Sequence, residues 1–559
     1  MVEPLLQPGA LALAAVIFTL AAATFILLRL ICRPLLGRQD VLERGSAEHF
    51  DIVDSFPLGR RRQLLVIRRG ETENLVMIGG PNDLAIETGL AGPGPAPPLA
   101  DDDEGAVQAP IAARFDWEGA CLNQARRIFA SEGLVPLALL SGAAGAAAGM
   151  ICGFFRVALE TAGRFRVSLP VWWQDEPFLG ASLLIAGAAA ATALSAWLVR
   201  RFSMHAAGSG IPQVEAAISG GFPPAPVALL PVKFIGGLLA MGAGLALGRE
   251  GPCVQMGATA AYHLGKAFRR STGDCRTLLA AGAGAGLAAA FNAPLAGSAF
   301  VLEELLRKFE TRNAIAALGA SGSAIAAAQL ITGPAPDFTM AAISYPTLSD
   351  NLLCFTLGII AGLCGALYNR MLFGALAISD RFARWPVEAR AAVIGAAAGL
   401  LAWFAPGLAG GGDMLTQRTL DGTEVLAFLS FVLLLRLVFS AASYAAGTPG
   451  GLFAPLLALG AQMGFLFGGL VDAAQAGPAS HAAAFAAVGM AALFTAVVRA
   501  PLTGMILVTE MTANSMLLLP MLAACFSAMA VAALLDEPPV YDALRKRTIA
   551  LWQKDRAHP

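Results

Sequence analysis

Charge is scarce in this chain: Asp, Glu, Lys and Arg make up 14% of its 559 residues, where a soluble globular domain carries roughly 25%. That shortage excludes an ordinary water-soluble fold. With 57% hydrophobic residues and a mean hydropathy of +0.65, the chain reads as an all-α polytopic membrane protein. Neither sign of charge dominates, and a net charge of −1 offers no basic surface for nucleic acid. The eight cysteines are scattered without a C-x-x-C pair, so they read as small hydrophobes rather than disulfides or metal ligands. No cofactor motif is recognisable. Neither a metal nor a cofactor is expected, and nothing points to an enzyme.

Gly9 to Leu28 is an uncharged apolar run followed by Arg29, Arg33 and Arg38. A secretory signal places its charges before the apolar stretch, so residues 1–39 read as an uncleaved membrane helix ending in the cytoplasm. Residues 40–88 change character: "HFDIVDSFPL", "RQLLVIRRG", "ENLVMIGG" and "NDLAIET" are short, β-rich and separated by turn residues. That pattern predicts a small antiparallel sheet. Residues 89–115 are rich in Pro and Gly with an acidic run, and read as a disordered linker.

From 116 to 559 apolar helical segments follow almost without pause, among them 118–131, 133–162, 294–308 and 423–445. Several are too short, or too broken by Gly and Pro, to cross a ~30 Å hydrocarbon core alone. Such breaks are tolerated only where their loose ends are buried in protein or line a polar cavity. Transporters place them at matching positions in two halves of the chain. Here they fall at 207–212 and 248–252 in the first half and at 447–455 in the second.

The three breaks share a form. "GSGIP" (Gly208 to Pro212), "GREGP" (Gly248 to Pro252) and "GLFAP" (Gly451 to Pro455) each set Gly ahead of Pro and open an apolar helix. A helix start exposes about four unpaired N–H groups and a partial positive charge. Pro in the first turn sacrifices no hydrogen bond, and Gly lets the backbone approach a ligand. Several such starts converging inside a membrane make a dehydrated anion site with little full positive charge. Ser209 would place a hydroxyl beside it, or serve only as a helix cap.

Arg249 and Glu250 stand together with no other formal charge back to Lys233 or on to Lys266, a costly arrangement if lipid surrounds them. Glu250 either takes the anion's place when ionised and leaves it when protonated, or is a structural charge paired with Arg249. A second acidic pair, Glu303 and Glu304, ends an apolar run just before Arg307 and Lys308, whose charge points to the cytoplasmic side. Glu303 reads as a solvated helix end. Glu304 is a candidate proton acceptor at the inner end of a route towards Glu250.

In order and spacing, "GSGIP", "LPVKFIGGL…LGREGP", "FNAPLAGSAFVLEE" and "GGLFAPLLALG" resemble the signatures of the CLC family of chloride channels and chloride/proton antiporters, over about 116–552. The resemblance implies a CLC-type inverted-repeat bundle with broken helices. It also implies a homodimer, multi-pass in the bacterial inner membrane, with residues 40–115 and the C-terminus cytoplasmic. By the same resemblance Ser209 donates to a central chloride and faces Tyr541 of "PPVYDAL", while Glu250 is the gating glutamate. The backbone amides of Arg249, Glu250 and Gly251, with those of Leu452, Phe453 and Ala454, form the anion cradle. Glu304 matches the internal proton glutamate of the antiporters, and Lys233 of "LPVKF" matches a family lysine read as background electrostatics.

Nitrate-preferring members tend to carry Pro at the Ser209 position, and fluoride exporters depart from these motifs, so chloride is the expected cargo. Channel members tend to lack a glutamate where Glu304 stands. The expectation is therefore a secondary active antiporter exchanging two chlorides for one proton, with a passive voltage- or proton-gated chloride channel as the alternative. Separately, Asp51 to Glu87, with "NLVMIGGP", resembles the flagellar biosynthesis protein FliO. That likeness implies a role of another class: flagellar export-apparatus assembly, with export components as partners of residues 40–88.

Overall fold

The structure, a computed structural model, describes residues 51–57, 63–69, 72–78, 84–91, 133–340, 348–475 and 482–557. The membrane helix expected at 9–28, the segment at 118–131 and all but the first residues of the 89–115 linker lie outside the described residues. The chain divides into two compact units, one holding a sheet and one the helices.

Strands β1 (Asp51–Pro57), β2 (Gln63–Arg69), β3 (Thr72–Ile78) and β4 (Leu84–Ala91) pair antiparallel in chain order. The β2/β3 register runs unbroken from Gln63↔Ile78 to Arg69↔Thr72. Pairing shifts between Ile52 and Asp54 in β1 and at two places in β3. Strand β4 runs on to Ala91, into the stretch read as linker.

The helical unit opens with α1 (Leu134–Trp172), α2 (Pro177–Phe202), α3 (Ile211–Ile218), α4 (Leu229–Gly242), α5 (Glu250–Ala267) and α6 (Thr272–Phe291). It continues with α7 (Pro294–Phe300), α8 (Thr311–Thr332), α9 (Leu348–Arg381), α10 (Val387–Phe404), α11 (Asp413–Leu420) and α12 (Leu426–Tyr444). It closes with α13 (Phe453–Gln475), α14 (Ala482–Val498), α15 (Pro501–Thr512), α16 (Leu518–Leu534) and α17 (Val540–Ala557). Among the described residues α1, α2, α8, α9, α10 and α13 are long and apolar enough to cross a membrane. The apolar window of α13 is 89% buried, against 28–44% for the other five, so α13 runs through the middle of the unit and the rest face outward.

Small residues let the helices close on one another. A Cβ on Gly145 or Gly149 of α1 would meet the Ala320 or Ala324 carbonyl of α8. Gly257 of α5 lies in the same way on Gly282 of α6, and Gly460 of α13 on Gly489 of α14. Helix α1 outruns the expected 133–162 because Arg166 is paired rather than solvated. Its guanidinium donates to the Met241 and Gly242 carbonyls at the end of α4, where a helix favours a cation. Helices α11 and α17 carry too many polar residues to show in an apolar scan.

The segment expected at 294–308 is not one α-helix: α7 passes into a π-helical turn, Val301–Leu305. Glu303 in that turn is not the solvated end it was read as. Its carboxylate accepts the Leu502 and Thr503 N–H groups (3.0 and 2.7 Å) and the Thr503 hydroxyl (2.7 Å) at the start of α15. Glu510 of α15 returns the contact, accepting the Leu295 and Ala296 N–H groups (3.0 and 2.8 Å) at the start of α7. The two segments, "APLAGSAFVLE" from Ala293 and "APLTGMILVTE" from Ala500, match position for position at Ala, Pro, Leu, Gly, Val and Glu. Glu510→Ala leaves two amides of α7 without an acceptor, an expected loss of about 1–3 kcal/mol. A melting midpoint in detergent that falls by several degrees, with Glu303→Ala behaving alike, is the expected result.

Candidate functional site

Four backbone hydrogen bonds draw the three sequence breaks into one knot. Gly208 N–H donates to Thr448 (3.1 Å), Gly450 N–H to Gly208 (3.1 Å), Gly248 N–H to Gly451 (2.9 Å) and Gly451 N–H to Gly248 (2.7 Å). Gly208 and Gly210 hold φ of +65° and +90°, a region where a side chain is strained. Lys233, fully buried, fastens the same loop by donating to the Ala206 and Gly208 carbonyls (3.0 and 2.7 Å). Its role is thus a direct bond, more specific than the background field expected of it.

Helices α3 and α5 begin at this knot with no side-chain cap, and α13 begins there at Phe453. Glu250, in the first turn of α5, is fully buried. Its Oε1 accepts the Phe453 N–H at 2.7 Å, and its Oε2 has no hydrogen-bond partner. The carboxylate lies over Gly248 and Gly451, where any Cβ would strike it. A carboxylate therefore occupies the place that an anion would take at the start of α13.

Ser209 is fully buried with an unpartnered Oγ, and its N–H approaches the Tyr444 hydroxyl at 3.5 Å. The Tyr541 hydroxyl, equally buried, faces Ser209 without a hydrogen bond of ordinary geometry. Buried hydroxyls without partners are rare and call for a ligand or water. A Cβ on Gly251 would sit 2.6 Å from the Ser209 carbonyl and 2.7 Å from its Oγ, so α5 begins directly against the serine. The Phe453 ring is clasped by Phe494, Phe300 and Tyr541 at centroid distances of 4.6, 5.8 and 5.8 Å. Leu452 and Phe453 are fully buried and Ala454 nearly so.

The alternative that paired Glu250 with Arg249 fails. The Arg249 guanidinium turns away, bonding Asp337 at 2.6 Å and the Ala290 carbonyl at 2.9 Å, with Asp413 at 3.7 Å. Asp337 also binds Arg156 at 2.6 Å. A cavity of about 760 Å³ opens beside the knot, lined by Arg166, Gly248, Arg249, Asp413 and Ala454 among others. A separate cavity of about 420 Å³ is lined by Glu303, Glu304, Arg307, Arg499 and Asp542. Glu304 is 3% exposed there, its nearest cation the Arg307 guanidinium at 3.6 Å.

Sequence reading missed Tyr444, Glu215 and Asp542. Glu215, three residues past Pro212 in an apolar helix, carried the same signal as Glu250, a lone acid without lipid-compatible surroundings.

A multi-pass helical protein with a carboxylate seated on a buried helix start is the class these features define. The family model for voltage gated chloride channels matches residues 187–533. The H(+)/Cl(-) exchange transporter ClcA of Vibrio parahaemolyticus serotype O3:K6 is 38% identical over 438 residues, covering 75% of this chain and 92% of that one. ClcA of Salmonella typhimurium is 37% identical over 448 residues, covering 78% and 93%. The solved structure of a slow cyanobacterial Cl-/H+ antiporter superposes with a TM-score of 0.70 at 32% identity, over 74% of this chain and 98% of that one. The chain belongs to the voltage-gated chloride channel (CLC) family.

Gly451→Ala places a methyl group against the Glu250 carboxylate and narrows the cradle. Calorimetric titration with chloride should show binding weakened by about tenfold or more, about 1.4 kcal/mol, in a variant that still elutes as the intact protein. Unchanged affinity would remove Gly451 from the site.

Proposed function

We propose that this chain is a secondary active chloride/proton antiporter, and the observation that carries the proposal is the Glu250 carboxylate on the Phe453 N–H. Ionised, Glu250 fills the cradle and excludes chloride. Protonated, it loses the charge that held it to the helix start and swings out carrying a proton. Chloride then takes the amides of Phe453 and its neighbours, with the Ser209 and Tyr541 hydroxyls donating from the other side. One site thus holds either chloride or the ionised carboxylate, which couples the two flows. Glu304, buried at the second cavity, exchanges protons with the inner solution. The names of the ClcA relatives and the solved cyanobacterial structure support the same exchange.

Arg307, Lys308 and the basic helix α17 support placing their end of the unit on the inner side, following the bias of Lys and Arg towards the cytoplasm. That orientation leaves the C-terminus cytoplasmic in a multi-pass protein of the bacterial inner membrane. The reciprocal caps of Glu303 and Glu510 support an inverted two-half build. We infer a homodimer with one pathway in each subunit, a reading that the family resemblance supports. Exchange of two chlorides for one proton remains the stoichiometry to measure.

In liposomes, a chloride gradient imposed on the wild type should drive protons uphill. Glu250→Ala should stop proton movement and leave chloride flux, and Glu304→Gln should do the same. Chloride flux with no proton movement in the wild type would establish the channel alternative instead.

A further inference from the structure

Glu304 does not stand alone at the inner end. Arg307 Nη2 lies 3.6 Å from Glu304, 3.6 Å from Glu215 and 3.0 Å from Asp542. Arg545 of α17 lies 2.9 Å from Glu215 and 3.1 Å from Asp542, which brings the two carboxylates onto one guanidinium. Three acids from three separate elements therefore close around two guanidiniums. Glu303 and Arg499 border the group, but each is engaged elsewhere. Glu303 caps α15, and Arg499 donates to the Met529 and Glu537 carbonyls.

Counting charge, three carboxylates against two guanidiniums leave one negative charge in excess in a largely buried space. Such a charge is expensive unless neutralised, and a proton shared among the three acids neutralises it. Two further observations point the same way. Glu304 and Glu215 are each 3% exposed, and Glu304 Oε1 and Glu215 Oε2 have no hydrogen-bond partner. The Asp542 side chain, 19% exposed, reaches solvent and lines the cavity that Glu304 also lines. Asp542 and Glu304 each place an oxygen within 3.6 Å of one Arg307 nitrogen, a spacing that water bridging the two carboxyls spans.

We propose that Asp542 is the relay through which inner protons reach Glu304, with Glu215 sharing the held proton. In the inward step the O–H bond of the Asp542 carboxylic acid breaks and an O–H bond forms on the Glu304 carboxylate. Glu304 passes that proton on towards Glu250, and Asp542 then takes a replacement from a hydronium ion of the inner water, leaving a water molecule, so the group again holds one proton. Arg307 and Arg545 keep the three acids together without giving up protons. The inference rests on the antiport reading and adds to it a residue that sets the rate of proton delivery.

The test uses the full chain in liposomes, comparing wild type, Asp542→Asn and Asp542→Glu for exchange turnover and for the ratio of protons to chlorides moved. Asn keeps the shape of Asp but carries no exchangeable acid proton. Turnover of Asp542→Asn should fall about tenfold or more near neutral pH. It should recover towards the wild-type rate at about pH 4.5, where hydronium supplies Glu304 directly. The ratio of ions moved should stay unchanged, and Asp542→Glu should restore the rate. Wild-type turnover in Asp542→Asn at every pH would overturn the relay. So would a loss that neither acid nor Asp542→Glu repairs, because that marks a structural pairing with Arg307 and Arg545. If the wild type itself moves chloride without protons, the antiport reading fails first, and the relay falls with it.

Discussion

The hydrogen bond from the Phe453 N–H to the Glu250 carboxylate is the contact on which the rest of the helical unit depends. A carboxylate buried without a cation needs a donor and a positive potential, and the start of α13 supplies both. Placing a helix start there requires the chain to break inside the protein, and every broken backbone group then needs a partner. The four inter-loop hydrogen bonds at Gly208, Gly248, Gly450 and Gly451, with the Lys233 ammonium on two loop carbonyls, meet that need. Glycine is required where these strands of loop pass within contact of Glu250 and Ser209. The deep burial of α13 keeps water from competing for the same amides.

Full positive charges are present near the knot but are directed elsewhere. Arg249 faces Asp337, Arg166 faces the last carbonyls of α4, and the fully buried Arg436 donates to the carbonyls of Leu408, Gly410 and Gly411. The cradle is left with amides and hydroxyls. An anion held by dipoles is bound without being trapped, because no ion pair has to be broken for it to leave.

Much of this was legible in the sequence because helix starts leave a local signature. Gly before Pro before an apolar run marked all three breaks, and the isolated acid marked Glu250. Long-range partners left no such trace. Asp337 stands 88 residues from Arg249, and nothing local tells an acid in that loop from a solvated one. Glu303 was misread for the same reason, since its role lies in the amides of Leu502 and Thr503, on a different helix. The repeated "APL" segments at Ala293 and Ala500 did contain the signal, as a short internal match with a Glu at the same offset. Helix α17 escaped because polarity hides a helix from an apolar scan, although it brings Tyr541 and Asp542 to the site. A four-stranded antiparallel meander at residues 51–91 is common to many proteins and adds nothing to the FliO likeness.

The proposed competition between Glu250 and chloride for one backbone donor has a direct thermodynamic consequence: chloride binding draws in protons wherever the displaced carboxyl holds its proton more tightly than the seated carboxylate does. Purified protein in weakly buffered solution, titrated with chloride while the pH is recorded, reports that linkage without any transport step. Repeated over a series of pH values, the titration of the wild type should show uptake rising to about one proton for each chloride that displaces the carboxylate between the pKa values of the seated and the displaced Glu250, with none at any pH in Glu250→Gln. Chloride binding that leaves the proton count of the wild type unchanged would contradict the account.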